Sequence, residues 1–279
     1  MRIAFIGDVH GRVFHCLAGL SVLPERRGQF DLLIQVGDFG YPDPANGDAA
    51  TKIHLELDPA EAGVRDLMQA TGQRAKALGQ LRERLGPILF IRGNHEDFAW
   101  LKKLSGDAPS PVDPFDLFHY VADGSIIEVD GLCIAFLRGV EEQEDEAGID
   151  MAAHRSLLRL GPGFIDLLIT HEGPYGSSRG FRGDVHGSSL ITKLIEATQP
   201  AYHVFGHAHQ LLGPQLEGET TWLGLDGLVA SPRWEPDAKG LRPGCFGVLD
   251  TRSGILEPVT DEWLTSFPTP FDFDAWVSP

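Results

Sequence analysis

Five stretches of this chain share one grammar: a short apolar run, then a turn rich in glycine, carboxylate and imidazole. The runs are Ile3 to Ile6, Leu32 to Val36, Ile88 to Ile91, Leu167 to Ile169 and Tyr202 to Phe205. The turns that follow read Gly7-Asp8-Val9-His10-Gly11, Gly37-Asp38, Gly93-Asn94-His95-Glu96, Thr170-His171 and Gly206-His207-Ala208-His209. Short apolar runs closed by such turns read as buried strands. In an open α/β sheet, ligands bind beyond the carboxyl ends of the strands. Five chemically rich turns in that position point at one place.

The intervening segments support the same architecture. Val13 to Leu23 reads as a helix, and a long amphipathic stretch from Pro59 to Leu85 precedes the third run. Pro59 suits a helix start and Gly86-Pro87 a stop. Shorter helices are expected at Asp97 to Leu104, Met151 to Leu160 and Ser188 to Ala197. Asp130-Gly131, between Ile126–Val129 and Leu132–Leu137, is a hairpin signal. Further strands are expected at Thr220 to Leu225, Phe246 to Asp250 and Ile255 to Val259. The fold class is α/β: two mixed β-sheets forming a sandwich flanked by helices, with the site at the strand C-terminal ends. Residues 1–260 are expected to form a single domain, with 261–279 an aromatic-rich tail packed on it. Two glycine- or proline-rich segments, Phe39 to Asp58 and Gly173 to Gly187, read as long loops.

A chain of 279 residues is long enough to bury a sizeable core without staples. The three cysteines, Cys16, Cys133 and Cys245, form no CxxC pair and fit a reducing compartment. No apolar run approaches a membrane span of about 20 residues. Met1 to Ile6 is too short for a secretory h-region, so it reads as a core strand of a cytoplasmic protein. The net charge of −17 argues against tracking along duplex DNA, which needs Lys and Arg on phosphates. Part of that charge lies in Glu141 to Glu146, which reads as a solvated loop.

The donor types then narrow the chemistry. Asp8, His10, Asp38, Asn94, His171, His207 and His209 offer carboxylate, amide and imidazole groups and no thiolate. Such mixed nitrogen and oxygen ligation suits manganese first, with iron, zinc or nickel as alternatives, and not calcium. Seven donors exceed the needs of one catalytic zinc. They suit two metals sharing a carboxylate, a pair that clamps an in-line displacement at phosphorus. A single D-x-H or H-x-H pair would carry little weight in a chain with 11 histidines. The weight comes from five runs behind five strands. His15, His54, His119, His154 and His203 lack such company and read as surface or core residues; His186 lies in a loop that can face the site.

The order D-x-H, G-D, G-N-H-E, H, G-H-x-H from Asp8 to His209 resembles the calcineurin-like metallophosphoesterase superfamily. The resemblance implies a phosphoester hydrolase with two divalent or trivalent metal ions and a water activated between them. It implies that Asp8, His10, Asp38 and His209 hold one metal, and that Asp38 bridges to a second held by Asn94, His171 and His207. It also implies that His95 contacts the phosphate and protonates the leaving oxygen, while Asn94 helps to stabilise the developing charge. The first and third motifs are similar to those of protein Ser/Thr phosphatases, but Gly37-Asp38-Phe39-Gly40-Tyr41-Pro42-Asp43 lacks that group's phosphate-binding arginine. His171-Glu172-Gly173-Pro174 and Thr221 to Asp226 resemble RNA lariat debranching enzymes.

Arg12, Arg92, Arg179 and Arg182 are candidates to replace the missing arginine, because a guanidinium binds phosphate as a fork. The expected substrate is a phosphorylated small molecule, a nucleotide or a short nucleic acid. A nuclease of the debranching type is the alternative, and a non-catalytic metal-binding scaffold is the reading from a different class.

Overall fold

The computed structural model describes residues 1–279 except 44–48, 58, 105, 107, 142, 144–145, 181–182, 231–234, 236, 269–270 and 278–279. The first sheet contains β1 (Arg2–Ile6), β2 (Leu32–Gln35), β3 (Ile88–Phe90), β4 (Ser110–Pro111) and β5 (Phe118–Tyr120). The second contains β6 (Ile126–Val129), β7 (Leu132–Leu137), β8 (Leu167–Thr170), β11 (Tyr202–Phe205), β12 (Leu212–Glu217) and β13 (Thr220–Gly224). Between β8 and β11 lies a two-stranded ribbon, β9 (Ser178–Arg179) with β10 (Val185–His186). The chain then returns to the first sheet with β14 (Phe246–Asp250) and β15 (Ile255–Val259). The strand orders are β15-β14-β1-β2-β3-β5-β4 and β12-β13-β11-β8-β7-β6. Parallel pairing of β1, β2 and β3, and of β8 with β11, turns the five chemical turns toward one edge of the sandwich.

Period-two alternation explains why the runs are apolar throughout. Ile3 and Phe5 of β1 face the second sheet, joining Ile134, Phe136, Leu167, Ile169 and Val204 in one buried cluster. Ala4 and Ile6 face the other way, onto Cys16, Leu17 and Leu20 of α1 (Val13–Arg27). A strand buried on both faces has no polar side to show. The outer face of the second sheet is covered in the same manner, by Leu157 of α6 (Met151–Leu158) and by Ile191 and Leu194 of α7 (Ser189–Thr198).

Several local expectations needed correction. The stretch from Pro59 to Leu85 is not one helix. It is a 3₁₀ turn at Pro59–Ala62, then α3 (Gly63–Met68), then α4 (Gly72–Leu85), with an extended Thr71 and Gly72 at φ 61° at the second break. The segment Phe39 to Asp58 contains a helix, α2 (Ala49–Leu57), and Gly173 to Gly187 contains the β9–β10 ribbon. Glu141 is not merely solvated: its carboxylate accepts from Ser188 Oγ, Ser189 Oγ and Leu190 N at 2.7, 2.7 and 3.0 Å, at the start of α7. The hairpin β6–β7 turns at Asp130 (φ 50°) and Gly131 (φ 78°), the two positive values that a type I′ turn demands.

Helix α5 is Phe98–Leu104. The tail carries α8 (Glu262–Thr265) and α9 (Phe273–Val277). Phe267 and Phe273 are buried in the layer over α1, and Phe273 meets Phe14 with ring centroids 4.7 Å apart. Among the described residues no helix is long and apolar enough to cross a membrane.

Candidate metal centre

Three of the five chemical turns place side chains at the sandwich edge by backbone geometry that most residues avoid. His10, Asp38, His207 and His209 have φ of 46°, 52°, 66° and 47°. Left-handed backbone is uncommon outside glycine, and where it persists the surrounding structure must over-determine it. Glycines clear the room. A Cβ on Gly93 would strike the Asp38 carboxylate, and one on Gly206 would strike that of Asp8.

The donors fall into two groups. Asp8, His10, Asp38 and His209 each offer a ligand atom, all within 4.8 Å of one another, and Asp38, His171 and His207 do the same. Asp38 belongs to both. Its Oδ1 accepts the backbone N–H groups of Asn94 and His95 at 2.9 and 2.8 Å. His10 Nε2 lies 3.6 Å from its Oδ2, and His171 Nε2 lies 3.5 Å from its Oδ1.

The chemistry of this donor set fits cations. His171 Nδ1–H donates to Val36 O at 3.0 Å, which fixes the tautomer and leaves a lone pair on Nε2. That lone pair lies 3.0 Å from Asn94 Oδ1, another acceptor. Two acceptors at such range repel unless something positive lies between them. On the other side His10 Nε2 and His209 Nε2 are 3.0 Å apart, and His209 Nε2 is 3.0 Å from Asp8 Oδ2. A proton on His209 can serve both neighbours; a metal ion is the other cation that can.

Charge states agree with that reading. Burial lowers His10 to about 3 and His207 to about 4, so both imidazoles stay in the neutral, ligating form. Burial would raise the Asp38 carboxyl, but the imidazoles led by His171 and His10 outweigh it and hold it well below the usual range. His209 runs the opposite way. Burial pulls it down, but its hydrogen bond to Asp8 and the nearby carboxylates raise it on balance.

His95 is half-buried, with its ring centroid 5.8 Å from that of His10. The candidate arginines disperse. Arg12 is buried and gives Nη2 to Glu61 at 3.0 Å. Arg92 is buried, donates to Glu146 O and lies 4.6 Å over the Phe98 ring. Arg179 lines a cavity of about 210 Å³ that also touches Asn94 and His207. Arg182 lies outside the described residues. Of the other histidines, His154 and His203 are buried, His119 pairs with Asp116, and His15 packs on Phe271; the side chain of His54 lies outside the described residues.

Two supporting groups had no individual signal in the sequence. Glu96 is buried and accepts the N–H groups of Phe39, Gly40 and Gly93 at 2.6, 3.0 and 3.2 Å, tying the Asp38 turn to the Asn94 turn. Burial, reinforced by the charge of Asp38, pushes its carboxyl well above the ordinary range despite those donors. Under His171, the Thr170 hydroxyl donates to Glu172 O at 2.6 Å and accepts from His203 Nε2 at 2.7 Å.

Comparison with known proteins gives the same answer by an independent route. The sequence profile of the calcineurin-like phosphoesterases matches residues 1–211. The chain belongs to that family. Its members depend on two metal ions, and this calcineurin-like phosphoesterase carries the candidate ligands for them. Among curated proteins, it is similar to zinc finger CCCH domain-containing protein 59 of Oryza sativa subsp. japonica, 23% identical over 221 residues, or 74% of this chain. It is also similar to UPF0046 protein K07C11.7 of Caenorhabditis elegans, 39% identical over 62 residues, or 22% of this chain. These matches span 33% of the rice protein and 21% of the worm protein. Among solved structures, TT1561 of Thermus thermophilus shares the fold with a TM-score of 0.54 at 14% identity, covering 93% of this chain and 98% of that one.

Proposed function

We propose that this protein hydrolyses phosphoesters of small phosphorylated molecules. The observation that carries the reading is the pair of donor clusters that share Asp38, with His171 Nε2 facing Asn94 Oδ1 and His10 Nε2 facing His209 Nε2, each at 3.0 Å. Asp8, His10, Asp38 and His209 would hold one transition-metal ion, manganese first among the candidates. Asp38, Asn94, His171 and His207 would hold the second. When bound, the pair supplies Lewis-acid polarisation of the phosphoryl group and lowers the pKa of water.

The chain's own residues supply the rest. The backbone N–H groups of Asn94 and His95 fix the Asp38 carboxylate from behind. The neutral forms of His10 and His207 keep their lone pairs free for coordination. His95, beside His10, would protonate the leaving oxygen, a service worth about 10²–10⁴-fold in rate. Glu96 keeps the two turns in register.

The test is a substrate panel on metal-stripped and reconstituted protein, with a chromogenic phosphomonoester, a phosphodiester and short RNA. Turnover that disappears with the metal and returns with manganese supports the reading. No turnover with any metal would leave the non-catalytic scaffold. RNA outrunning both small esters would favour the nuclease.

A further inference from the structure

The cavity beside the metal residues has walls that the hydrolytic reading does not use. We infer that it is a subsite for the alcohol portion of the ester, and that it selects a compact, uncharged, hydroxyl-bearing group of glycerol to pentose size. This rests on the phosphoester reading above.

Position comes first. Asn94 and His207 line the cavity together with Ser177 and the ribbon residues Ser178, Arg179 and His186. A phosphoryl group held between the two donor clusters therefore has its ester oxygen and attached carbons within reach of the ribbon.

Size comes second. The cavity measures about 210 Å³, below the roughly 300–1,000 Å³ of sites that take drug-sized ligands. Glycerol or a pentose suits that space better than a base with its sugar.

The lining decides the chemistry. Ser177, Ser178, Gln143, Gln210 and His186 are among the residues that line the space. Each of these groups can both give and take hydrogen bonds, as a hydroxyl does. Among the described residues the lining has one side-chain cation beyond its histidines, Arg179, and one carboxylate, Glu172. That balance suits a neutral polyol and offers no pair of cations for a second phosphate. Among the described residues the lining's one phenylalanine, Phe205, stacks on His203 with centroids 5.1 Å apart and crowds against Gly173, so it gives no open platform for a base.

The wall is also built to keep its shape. The His186 ring lies over Gly180, where a Cβ would strike it. Gly176 N donates to His186 O at 3.0 Å, and Gln210 Nε2 to Arg179 O at 3.4 Å, fastening the ribbon to the turn that follows His209.

The experiment compares kcat/KM of the manganese-loaded protein for glycerol 2-phosphate, ribose 5-phosphate, ribose 1,5-bisphosphate and ethyl phosphate, with phenyl phosphate as the reference for basic competence. The polyol esters should exceed ethyl phosphate by about tenfold or more, the worth of one or two well-made hydrogen bonds. His186→Ala and Gln210→Ala should each cut that ratio severalfold, and Ser178→Ala provides a smaller change in the same wall. Metal content and circular dichroism report whether each variant is folded. Equal rates for ethyl and polyol esters, an unchanged ratio in all three variants, or a preference for ribose 1,5-bisphosphate would overturn the assignment. Failure on phenyl phosphate as well would overturn the phosphoesterase reading itself.

Discussion

On one side of the cleft Asp8 and Asp38 are almost wholly buried, and four donor residues sit in left-handed backbone behind strands packed on both faces. On the other side the wall is two strands of two residues each, with Arg179, Val185 and His186 exposed. The first wall carries the groups whose relative positions decide chemistry. The second carries groups that could shape what enters. Strain needs a rigid surround to hold it, so it collects on the first wall. A short hydrogen-bonded ribbon can change its side chains with little cost to the core.

The comparison breaks first at Asp38. It belongs to both donor clusters, so Asp38→Asn should strip the protein of most metal and reduce activity to background, a loss of about 10⁴-fold or more. Two retained metals with near-normal turnover, by elemental analysis and assay, would remove the shared-ligand role. Next is His95, which lies on the rigid wall but outside both donor clusters. His95→Asn should leave metal content intact and slow hydrolysis by about 10²–10⁴-fold, with a smaller loss for good leaving groups. Loss of metal instead would make it a ligand.

A subtler strike at the same wall is Gly93→Ala. The new Cβ meets the Asp38 carboxylate, so metal affinity should fall by about 10–100-fold, as when the support behind a ligand is disturbed. Unchanged affinity in a titration would show that the wall gives way. Acid should find this wall as well. His10 and His207 are depressed from the ordinary 6.5 to about 3 and about 4. In metal-free protein their contribution to stability is therefore full above about 6.5 and is lost as pH falls toward 4 and 3. Denaturant midpoints should drop across that window, and less so in His10→Gln. The smallest effect belongs to the ribbon. Arg179→Ala should raise KM for a phosphate ester by up to about fivefold, with kcat changed less, since exposed charges contribute little.

The metal wall was legible in the sequence because both of its requirements leave marks there. A strand buried on two faces must be apolar, and a left-handed turn beside a ligand must be crowded with glycine, so Ile3 to Gly11 announces itself. The ribbon was not legible. Its four strand residues, Ser178, Arg179, Val185 and His186, are too few to show alternation, and its glycines read equally well as a loop. The arginines were legible only as residue types. What Arg12 and Arg92 touch is decided by Glu61 and Glu146 O, which lie 49 and 54 positions away. Glu96 stood inside a visible motif, yet its partners are backbone groups of another turn, and backbone groups have no letter in a sequence. The single helix expected over Pro59 to Leu85 failed for a similar reason: its periodicity continues past Gly72, while the backbone breaks between Met68 and Gly72, where Thr71 is extended.

His10 and His209 are neighbours in space and 199 residues apart along the chain. During synthesis the amino-terminal donors therefore emerge long before the residues that complete their coordination. A nascent chain halted before residue 207 lacks partners from both clusters, whatever part of the first sheet has already formed. Completion of either donor cluster therefore waits on β11 and the turn after it, while β12 to β15 have still to join the two sheets.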